Sequence, residues 1–393
     1  NPNASVMITG REEVVSIQPT HARDARRIAG IPGEEPQEWV DPLEPRQARE
    51  YPLEAEPVVF TPPDSDGNIY FANYQKIFRI DSAGMLTRLA GNDLNGIPAP
   101  AEGWAAEIDF QQIWSIAADS RGNVYVVHRL LPTGGEDVRT YLGKIDTRGW
   151  YTRIAGGGTE QYPGVTGRAS DLELQGSASI ACDPYGNLFF TQGAALLCFT
   201  PSGDYFAYGL GFGDPLVADS KLATQVWFRS SAVSVGADGT VYVLFQDAEK
   251  TGIMRIDSAG AIDVYGVLGN LPGSGITHDS SGSVYMAYAD GAIRSMDREG
   301  NLHTAVSAET ARRLHAATDI DVTCLHVGGE DDLYFALYDS TQNSATIQQY
   351  PRRRDMRWTD AVDPMTVWVD QEGNGYQFRE DGNIECLVDP LTE

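Results

Sequence analysis

An Asp-x-x-Gly turn between two short strand-like segments recurs along this chain and constrains its fold more than any other feature. The clearest copies, PDSDGNIYFA, ADSRGNVYVV and CDPYGNLFFT, begin at residues 63, 118 and 182, and looser copies begin at residues 236, 278, 329 and 369. An aromatic residue occupies one fixed position in all seven copies: Tyr70, Tyr125, Phe189, Tyr242, Tyr285, Tyr334 and Tyr376. Self-similarity at this spacing indicates one supersecondary unit repeated along the chain.

The physical chemistry of one unit is visible in WSIAADSRGNVYVVH, residues 114–128. Its two alternating segments predict a hairpin of half-buried strands. In the turn, the Asp carboxylate can accept hydrogen bonds from backbone amides, and Gly tolerates a positive φ. The Asp positions are Asp64, Asp119, Asp183, Asp279 and Asp370, with Gly236 and Gly328 in the other two copies. A third strand such as KIFRID and a fourth that ends in TRLAG complete a four-stranded antiparallel unit, which is typical of a β-propeller blade.

The linker before each blade carries a more specific resemblance. The segment RLAGNDLNGIPAPAEGWAAEIDFQQIWSIAADSRGNVYVVH resembles an NHL-repeat linker and blade, and RASDLELQGSASIACDPYGNLFF and LATQVWFRSSAVSVGADGTVYV are similar to it. The shared pattern is an Ala-Gly strand end, a Gly-rich loop, an Ala before (Leu/Ile)-x-Phe, and the Asp-x-x-Gly turn. The resemblance covers nearly the whole chain after Val58 and implies a propeller. It implies little about function, because such propellers host many activities.

We therefore predict an all-β propeller of seven four-stranded blades, with six possible because NHL propellers often have six. Residues 1–393 are expected to form a single propeller domain, with seven NHL-like repeats in 58–393 and an acidic, Pro-rich crossover in 31–57. The segment RRIAG at 26–30 copies the strand ends TRLAG and TRIAG although no repeat precedes it. Residues 1–30 are thus predicted to supply the outer strand of the last blade, paired near Ile384.

In a four-stranded meander the tight turns share one rim, and the long crossovers share the other. Binding residues concentrate in long loops on a rigid scaffold, so the crossover rim is the predicted working face. The ligand-binding candidates there are Trp39, Trp104, Trp114, Trp227, Glu107 and Asp109. The tryptophans could grip a protein or stack on a sugar, or they could pack between blades. The acidic crossover could recognise a partner or form a solvated strap.

The segment YPRRRDMRW contains the one dense basic patch of the chain, at Arg352, Arg353 and Arg354. Clustered arginines suit a phosphate or sulfate group. The alternative is that they neutralise neighbouring acids, because the chain carries 55 acidic and only 29 basic residues.

A formal net charge of −26 argues against general nucleic-acid binding, including the RNA binding known for some NHL propellers. No apolar run is long enough to span a membrane. The predicted innermost strands begin with small or apolar residues, which predicts no metal and no catalytic set there. No cofactor is predicted; Ca²⁺ is left open without a supporting motif. The four cysteines lie in apolar segments without a CxxC pair and are expected to be free thiols.

These observations favour a non-catalytic recognition or scaffold propeller that binds a protein or glycan through its loop-rich rim. We expect it to be secreted or associated with a cell surface or particle. The alternative is a lactonase-like or lyase-like enzyme with a site at the central channel mouth. The sequence does not indicate the oligomeric state.

Overall fold

The architecture follows from a computed structural model of the chain. It describes residues 25–32, 45–53, 59–73, 75–92, 100–130, 138–160, 164–174, 179–192, 195–208, 221–222, 230–246, 251–268, 272–329, 331–351, 367–369, 375–378 and 384–387. Two compact units are present, one formed by Arg26–Gln349 and the other by Asn1–Ala25 with Tyr350–Glu393. Among the described residues, no helix has the length and apolarity that crossing a bilayer requires.

The larger unit consists of β-meanders that follow one another along the chain. Its strands, in chain order, are β1 (Arg26–Ala29); β2 (Arg46–Gln47), β3 (Val59–Phe60), β4 (Ile69–Asn73), β5 (Lys76–Ile80) and β6 (Met85–Ala90); β7 (Glu102–Trp104), β8 (Gln112–Ala118), β9 (Val124–Leu130), β10 (Arg139–Ile145) and β11 (Trp150–Ala155); β12 (Thr166–Arg168), β13 (Ile180–Cys182), β14 (Leu188–Gln192), β15 (Ala195–Phe199) and β16 (Asp204–Tyr208); β17 (Lys221–Leu222), β18 (Ser230–Val235), β19 (Val241–Gln246), β20 (Thr251–Ile256) and β21 (Ala261–Leu268); β22 (Pro272–His278), β23 (Val284–Tyr288), β24 (Ile293–Met296) and β25 (Leu302–Val306); and β26 (Asp321–Val327), β27 (Leu333–Asp339) and β28 (Ser344–Tyr350). Each group after β1 belongs to one blade, and we number these blades one to six in this order.

The six blades form a closed ring. Their innermost strands are β3, β8, β13, β18, β22 and β26, and each contacts the next, with β26 in turn contacting β3. Apolar side chains from facing sheets fill the space between blades, as where Phe190 and Phe199 of the third blade pack with Val127 and Leu142 of the second. The predicted all-β propeller is therefore confirmed, with six blades.

The closing strand lies in the sixth blade, so the ring has the six blades that the prediction allowed and not the seven that it favoured. Strand β1 pairs antiparallel with β28, with Arg27 opposite Gln348, and not with the chain near Ile384. The seventh repeat forms a separate three-stranded sheet in the smaller unit, of β29 (Val367–Val369), β30 (Gly375–Phe378) and β31 (Ile384–Leu387). A strand from the N-terminal part does complete the last blade, as predicted, but that blade ends at Tyr350.

Four crossovers add a short fifth strand to the outer edge of the blade that follows. These strands are β2, β7, β12 and β17, and the first three lead into single 3-10 turns at Ala48–Glu50, Ala105–Glu107 and Ala169–Asp171. The alanine that opens each turn is almost completely buried. It is the alanine of the linker motif, and its small side chain lets the crossover lie against the sheet. The crossover into the sixth blade contains the one α-helix of the described chain, α1 (Ala308–His315), capped by the Ser307 hydroxyl.

The Asp-x-x-Gly turns have the predicted chemistry. In the second blade, Asp119 Oδ1 accepts hydrogen bonds from the backbone N–H groups of Arg121 and Asn123 at 3.0 and 2.9 Å. Asp64, Asp183 and Asp279 do the same in their own blades. These turns form one rim of the ring, the turn rim. The opposite rim, where the innermost strands begin and the second strands end, is the loop rim.

Candidate functional site

Trp114 marks the most distinctive part of the loop rim. It lies near the start of β8, where Ile113 pairs with His128 and Ser115 pairs with Val127, so Trp114 is an extra residue in a β-bulge. Bulges re-aim side chains and are frequent beside binding sites. Ser231 in the fourth blade and Thr323 in the sixth are extra residues at the corresponding position. The bulge therefore recurs around the ring, and only in the second blade does it hold an aromatic side chain.

Arg129 covers the indole of Trp114. It lies at the end of β9, opposite Gln112, and its guanidinium carbon is 3.8 Å from the ring centroid. At this distance the cation and the π face attract each other. The antiparallel register of β8 and β9 produces the stack, because it brings the end of the second strand beside the start of the first.

Two polar groups of this pair are buried and have no hydrogen-bond partner among the described residues. They are Trp114 Nε1 and Arg129 Nε. Burial lowers the pKa of Arg129, and no carboxylate of the described chain contributes to its environment or pairs with it. Leaving a guanidinium partly desolvated and unpaired costs free energy that an anionic partner would recover. A group that accepts hydrogen bonds from this guanidinium would therefore stabilise the pair.

The other predicted site residues that the structure describes do not join Trp114. Trp104 lies on β7 at the outer edge of the same sheet, with 52% of its surface exposed, and packs edge-to-face on Trp150 at 5.3 Å. Glu107 is exposed in the 3-10 turn before β8. Asp109 is buried, and its carboxylate accepts a hydrogen bond from the backbone N–H of Gln111 at 2.9 Å. Trp39, Trp227, Arg352, Arg353 and Arg354 lie outside the described residues.

Arg129 is the site residue that the sequence analysis missed. The signal that could have found it is register. If the turn Asp119–Gly122 fixes the pairing of β8 with β9, the residue at position 129 must lie beside the start of β8. The bulge hides this relation, because it shifts the pairing by one residue between Ile113 and Ser115.

The histidines of the described chain are mostly structural. His128 is buried and hydrogen bonds to the Tyr151 hydroxyl at 3.0 Å, and burial lowers its pKa to about 3. Both ring nitrogens of the buried His315 have hydroxyl partners, Thr346 and Ser344. His278 hydrogen bonds to Ser234 in the preceding blade. Burial also lowers the pKa of His278 and of His315.

Among the described residues, Cys324 and His326 form the one thiol–imidazole pair with a hydrogen-bonding contact, at 3.4 Å. Burial raises the pKa of the Cys324 thiol to about 11 and lowers that of His326 to about 4. A nucleophilic cysteine needs the thiolate form, which an adjacent cation or base stabilises. Here both shifts favour the neutral forms, so the pair is not activated. Within the described residues there is also no group of three His, Cys, Asp or Glu side chains that could hold a metal ion.

Comparison with known proteins finds likeness among solved structures alone. No protein-family model and no curated protein matches the chain. Among solved structures it is similar to virginiamycin B lyase from Staphylococcus aureus, with 14% identity, a TM-score of 0.44, and coverage of 86% of this chain and 97% of that one. It is also similar to a gluconolactonase from Xanthomonas campestris, with 12% identity, a TM-score of 0.48, and coverage of 76% and 88%. A Bacteroides thetaiotaomicron protein of unknown function is similar at 12% identity, with a TM-score of 0.49 and coverage of 83% and 75%.

Proposed function

We propose that this chain is a recognition propeller that binds a protein partner through its loop rim, with Arg129 as the docking point for a carboxylate of that partner. The observation that carries the proposal is the Arg129 guanidinium, stacked at 3.8 Å on Trp114 and not paired with any carboxylate of the described chain. Trp and Arg are enriched among the residues that dominate the energy of protein interfaces. Stacking also fixes the guanidinium in place, which lowers the entropy lost on binding.

A protein partner fits the geometry better than a glycan does. Sugar recognition by tryptophan uses an open ring face. One face of Trp114 is covered by Arg129, and the side chain packs against the core shared by the second and third blades. The groups left for a ligand are the donors of the guanidinium, which match a carboxylate in a bidentate geometry.

The net charge of −26 restricts the partner further. A long acidic segment would be repelled by the rest of the molecule, because exposed charges act over about 8 Å at physiological ionic strength. We therefore propose a short peptide segment with one or two Asp or Glu residues and otherwise uncharged surroundings. The repulsion is lowest when only one carboxylate enters the site.

A selection from a random peptide library displayed on phage tests this proposal. Peptides selected on the wild-type chain should contain an Asp or Glu at a fixed position. R129Q removes the charge and should weaken their binding by about 10- to 100-fold, the value of one charge-assisted hydrogen bond. R129K should recover only part of it, since lysine lacks the planar fork.

Arg139 supplies the matched control. It is an exposed arginine at the start of β10, opposite Leu130 on the same hairpin, so R139Q changes the net charge equally at the same rim. Its affinity for the selected peptides should stay within twofold of the wild type. Selection of peptides without acidic residues, or equal binding by R129Q and the wild type, would contradict the proposal.

The second candidate is a lactonase-like or lyase-like enzyme with a site at the channel mouth, the kind of activity in the names of two of the similar structures. It requires carboxylates or histidines that converge at that mouth. Turnover of a lactone panel that depends on added Ca²⁺ or Zn²⁺ would favour this candidate over the first. Turnover that survives R129Q would separate the two sites.

A further inference from the structure

The outer edge of the fifth blade is open. Its outer strand β25 pairs with β24 and with no other strand of the described chain. Only residues 269–271 separate β21 from β22, so this crossover is too short to add the fifth strand that covers each of the first four blades. Strand β25 also contains no Lys, Arg, Asp or Glu, the charged residues that discourage an exposed edge from pairing with another chain. The sixth blade has no fifth strand either, but its outer strand carries Arg26 and Arg27.

The strands that cover the first four blades share a short motif. It is Arg, Lys or Gly, then any residue, then Ala, and it occurs as RQA, GWA, GRA and KLA at residues 46–48, 103–105, 167–169 and 221–223. Its first residue matches the size of the residue opposite. Arg46 lies opposite Leu86 and Lys221 opposite Ile262, whereas Gly103 and Gly167 lie opposite Tyr151 and Tyr205. A long flexible side chain thus covers an aliphatic residue, and a glycine leaves room for a tyrosine.

Backbone hydrogen bonds hold both ends of the covering strand. The motif alanine donates its N–H to the glycine carbonyl in the turn between the third and fourth strands of the blade. These bonds run from Ala48 to Gly84, from Ala105 to Gly149 and from Ala169 to Gly203, at 2.9–3.0 Å. At the other end, the N–H of Arg153 donates to the Ala101 carbonyl at 2.8 Å, and the N–H of Ala207 donates to the Val165 carbonyl at 2.9 Å.

The fifth blade has the same backbone groups in the same places. Gly300 ends the turn before β25, as Gly149 ends the turn before β11, and both have a positive φ of 85°. Thr304 lies four residues after Gly300, as Arg153 lies four residues after Gly149. On the outer side of β25, no described strand donates to Gly300 or accepts from Thr304. The acceptor and the donor that hold a covering strand are therefore present at an edge that no described strand covers.

Leu302 shows the same vacancy in its side chain. It lies two residues after the turn glycine, the position of Leu86, Tyr151, Tyr205 and Ile262 in the first four blades. Those four side chains are at most 1% exposed, whereas Leu302 is 49% exposed. Covering Leu302 would bury apolar surface, which favours binding.

We propose that this edge, formed by Gly300, Leu302 and Thr304, binds an extended peptide segment of a partner protein with the pattern (Arg/Lys)-x-Ala. Leu302 is aliphatic, so the first and fourth blades predict a basic residue opposite it, with the methylene stem packed over the leucine. The alanine N–H donates to the Gly300 carbonyl, and the carbonyl two residues before the basic residue accepts from the Thr304 N–H. Addition of a strand to an open sheet edge is a recurring mode of peptide recognition.

A basic residue also suits a molecule with a net charge of −26. The edge lies on the outer strand of the fifth blade and is separate from the Trp114–Arg129 pair of the second blade. A second copy of this chain fits less well, because its own β25 has neither Arg nor Lys to place over Leu302.

The probe is a fluorescein-labelled peptide of sequence VADSKLATQV, which copies residues 217–226 and contains the motif KLA. Fluorescence anisotropy should show saturable binding with 1:1 stoichiometry. L302D should weaken binding about tenfold or more, because it removes the apolar contact and introduces a polar group beside the lysine stem. The same peptide with Asp in place of the lysine, or with an N-methyl group on the alanine amide, should also bind the wild type about tenfold or more weakly.

V267D is the matched control, because Val267 is an apolar residue with 54% exposure on the outer strand of the fourth blade. It adds the same charge at a similar exposure, and its affinity for the peptide should stay within twofold of the wild type. The proposal is overturned if the peptide does not saturate, if L302D binds it as tightly as V267D, or if the N-methylated peptide binds as tightly as the unmodified one. Binding that L302D leaves unchanged would place the peptide elsewhere, for example at the fourth blade in place of its own KLA segment.

Sedimentation velocity of the protein alone tests the other occupant. The wild type and L302D should have the same mass across a hundredfold range of concentration. A wild-type dimer that L302D dissociates would show that a second copy occupies this edge, and would overturn the proposal of a peptide partner.

Discussion

The glycine of each Ala-Gly strand end is required by the carbonyl group beside it. Gly30, Gly91 and Gly156 have φ between +84° and +96°. A Cβ atom on them would lie 2.1–2.3 Å from the backbone oxygen of Ala345, Gln75 and Thr140 respectively. The glycine of the RIAG or RLAG motif therefore lies where two backbone segments approach each other so closely that no side chain fits between them.

Alanine substitutions at two glycines separate the destabilisation caused by this clash from the destabilisation caused by a positive φ alone. Gly149 has φ +85° but no heavy atom within 4 Å of its virtual Cβ, whereas Gly91 has both the φ and the clash. G149A should lower the free energy of unfolding by about 1–2 kcal/mol, and G91A by at least about 2 kcal/mol more. Chemical denaturation of both variants checks this. Equal losses would mean that the strand end relaxes away from the carbonyl.

Other residues show why the sequence alone could not complete the site. Gly236 stands where four described turns have Asp, and a Cβ there would lie 2.7 Å from Asp238 Oδ1 and 3.0 Å from His278 Nε2. The sequence shows that the turn lacks its Asp, but it does not show that His278 of the next blade occupies the space of that side chain. Arg129 was missed for a similar reason, since its role depends on a one-residue bulge. Packing between blades decides both, and a single repeat does not contain that information.

At the scale of strands and turns, the sequence predicts much more. Alternation and the Asp-x-x-Gly turn located the first hairpin of each blade, because both depend on neighbouring residues. The role of the recurring tyrosine was not predicted. Its hydroxyl donates to the turn Asp in three blades, from Tyr70 to Asp64, Tyr125 to Asp119 and Tyr285 to Asp279. The turn is thus fixed from the strand as well as from its own amides.

Within the second blade, His128 links β9 to the outer strand β11 and makes stability depend on pH. Its folded pKa of about 3 lies below the ordinary value of 6.5, because burial and then Arg153 disfavour the imidazolium. The unfolded chain therefore binds more protons between these values, so its stability is complete above about pH 6.5 and falls as the pH drops toward 3.

Denaturant unfolding between pH 4.5 and 6.5 should show this dependence. H128F should reduce the slope of unfolding free energy against pH by up to about 1.4 kcal/mol per pH unit. Y151F removes the same hydrogen bond but keeps the histidine, so it should lower stability by about 1 kcal/mol and leave the slope unchanged. A slope in H128F equal to that of the wild type would show that His128 does not titrate differently on folding.

At the scale of the whole molecule, counting the repeats favoured seven blades, whereas the ring has six. The segments SATIQQY and NIECLV are both short strands with apolar alternation, and either could accept RRIA as a neighbour. The choice depends on whether six or seven innermost strands can contact one another in a circle. That is a property of blade packing, and the structure closes the circle between β26 and β3.

Two truncations test the six-bladed closure. A chain that ends after Pro351 keeps β1 and β28, so it should unfold cooperatively with a Tm within about 5 °C of the full chain. A chain that lacks residues 1–30 loses β1 and leaves β28 as a bare edge, so its Tm should fall by about 10 °C or more. Thermal unfolding followed by circular dichroism compares them. The closure is refuted if the first truncation is the more damaging one.

The pairing of β1 with β28 has a consequence for how the chain is made. Arg27 and Gln348 are about 320 residues apart in the chain. At ribosomal rates of about 5–20 residues per second, β1 emerges roughly 15–60 s before its neighbour exists. During that time β1 lacks its native neighbour and can pair with a strand of another nascent chain. Five blades can assemble as they leave the ribosome, but the sixth joins the first and the last strands of the ring, so the ring closes only after β28 has been made.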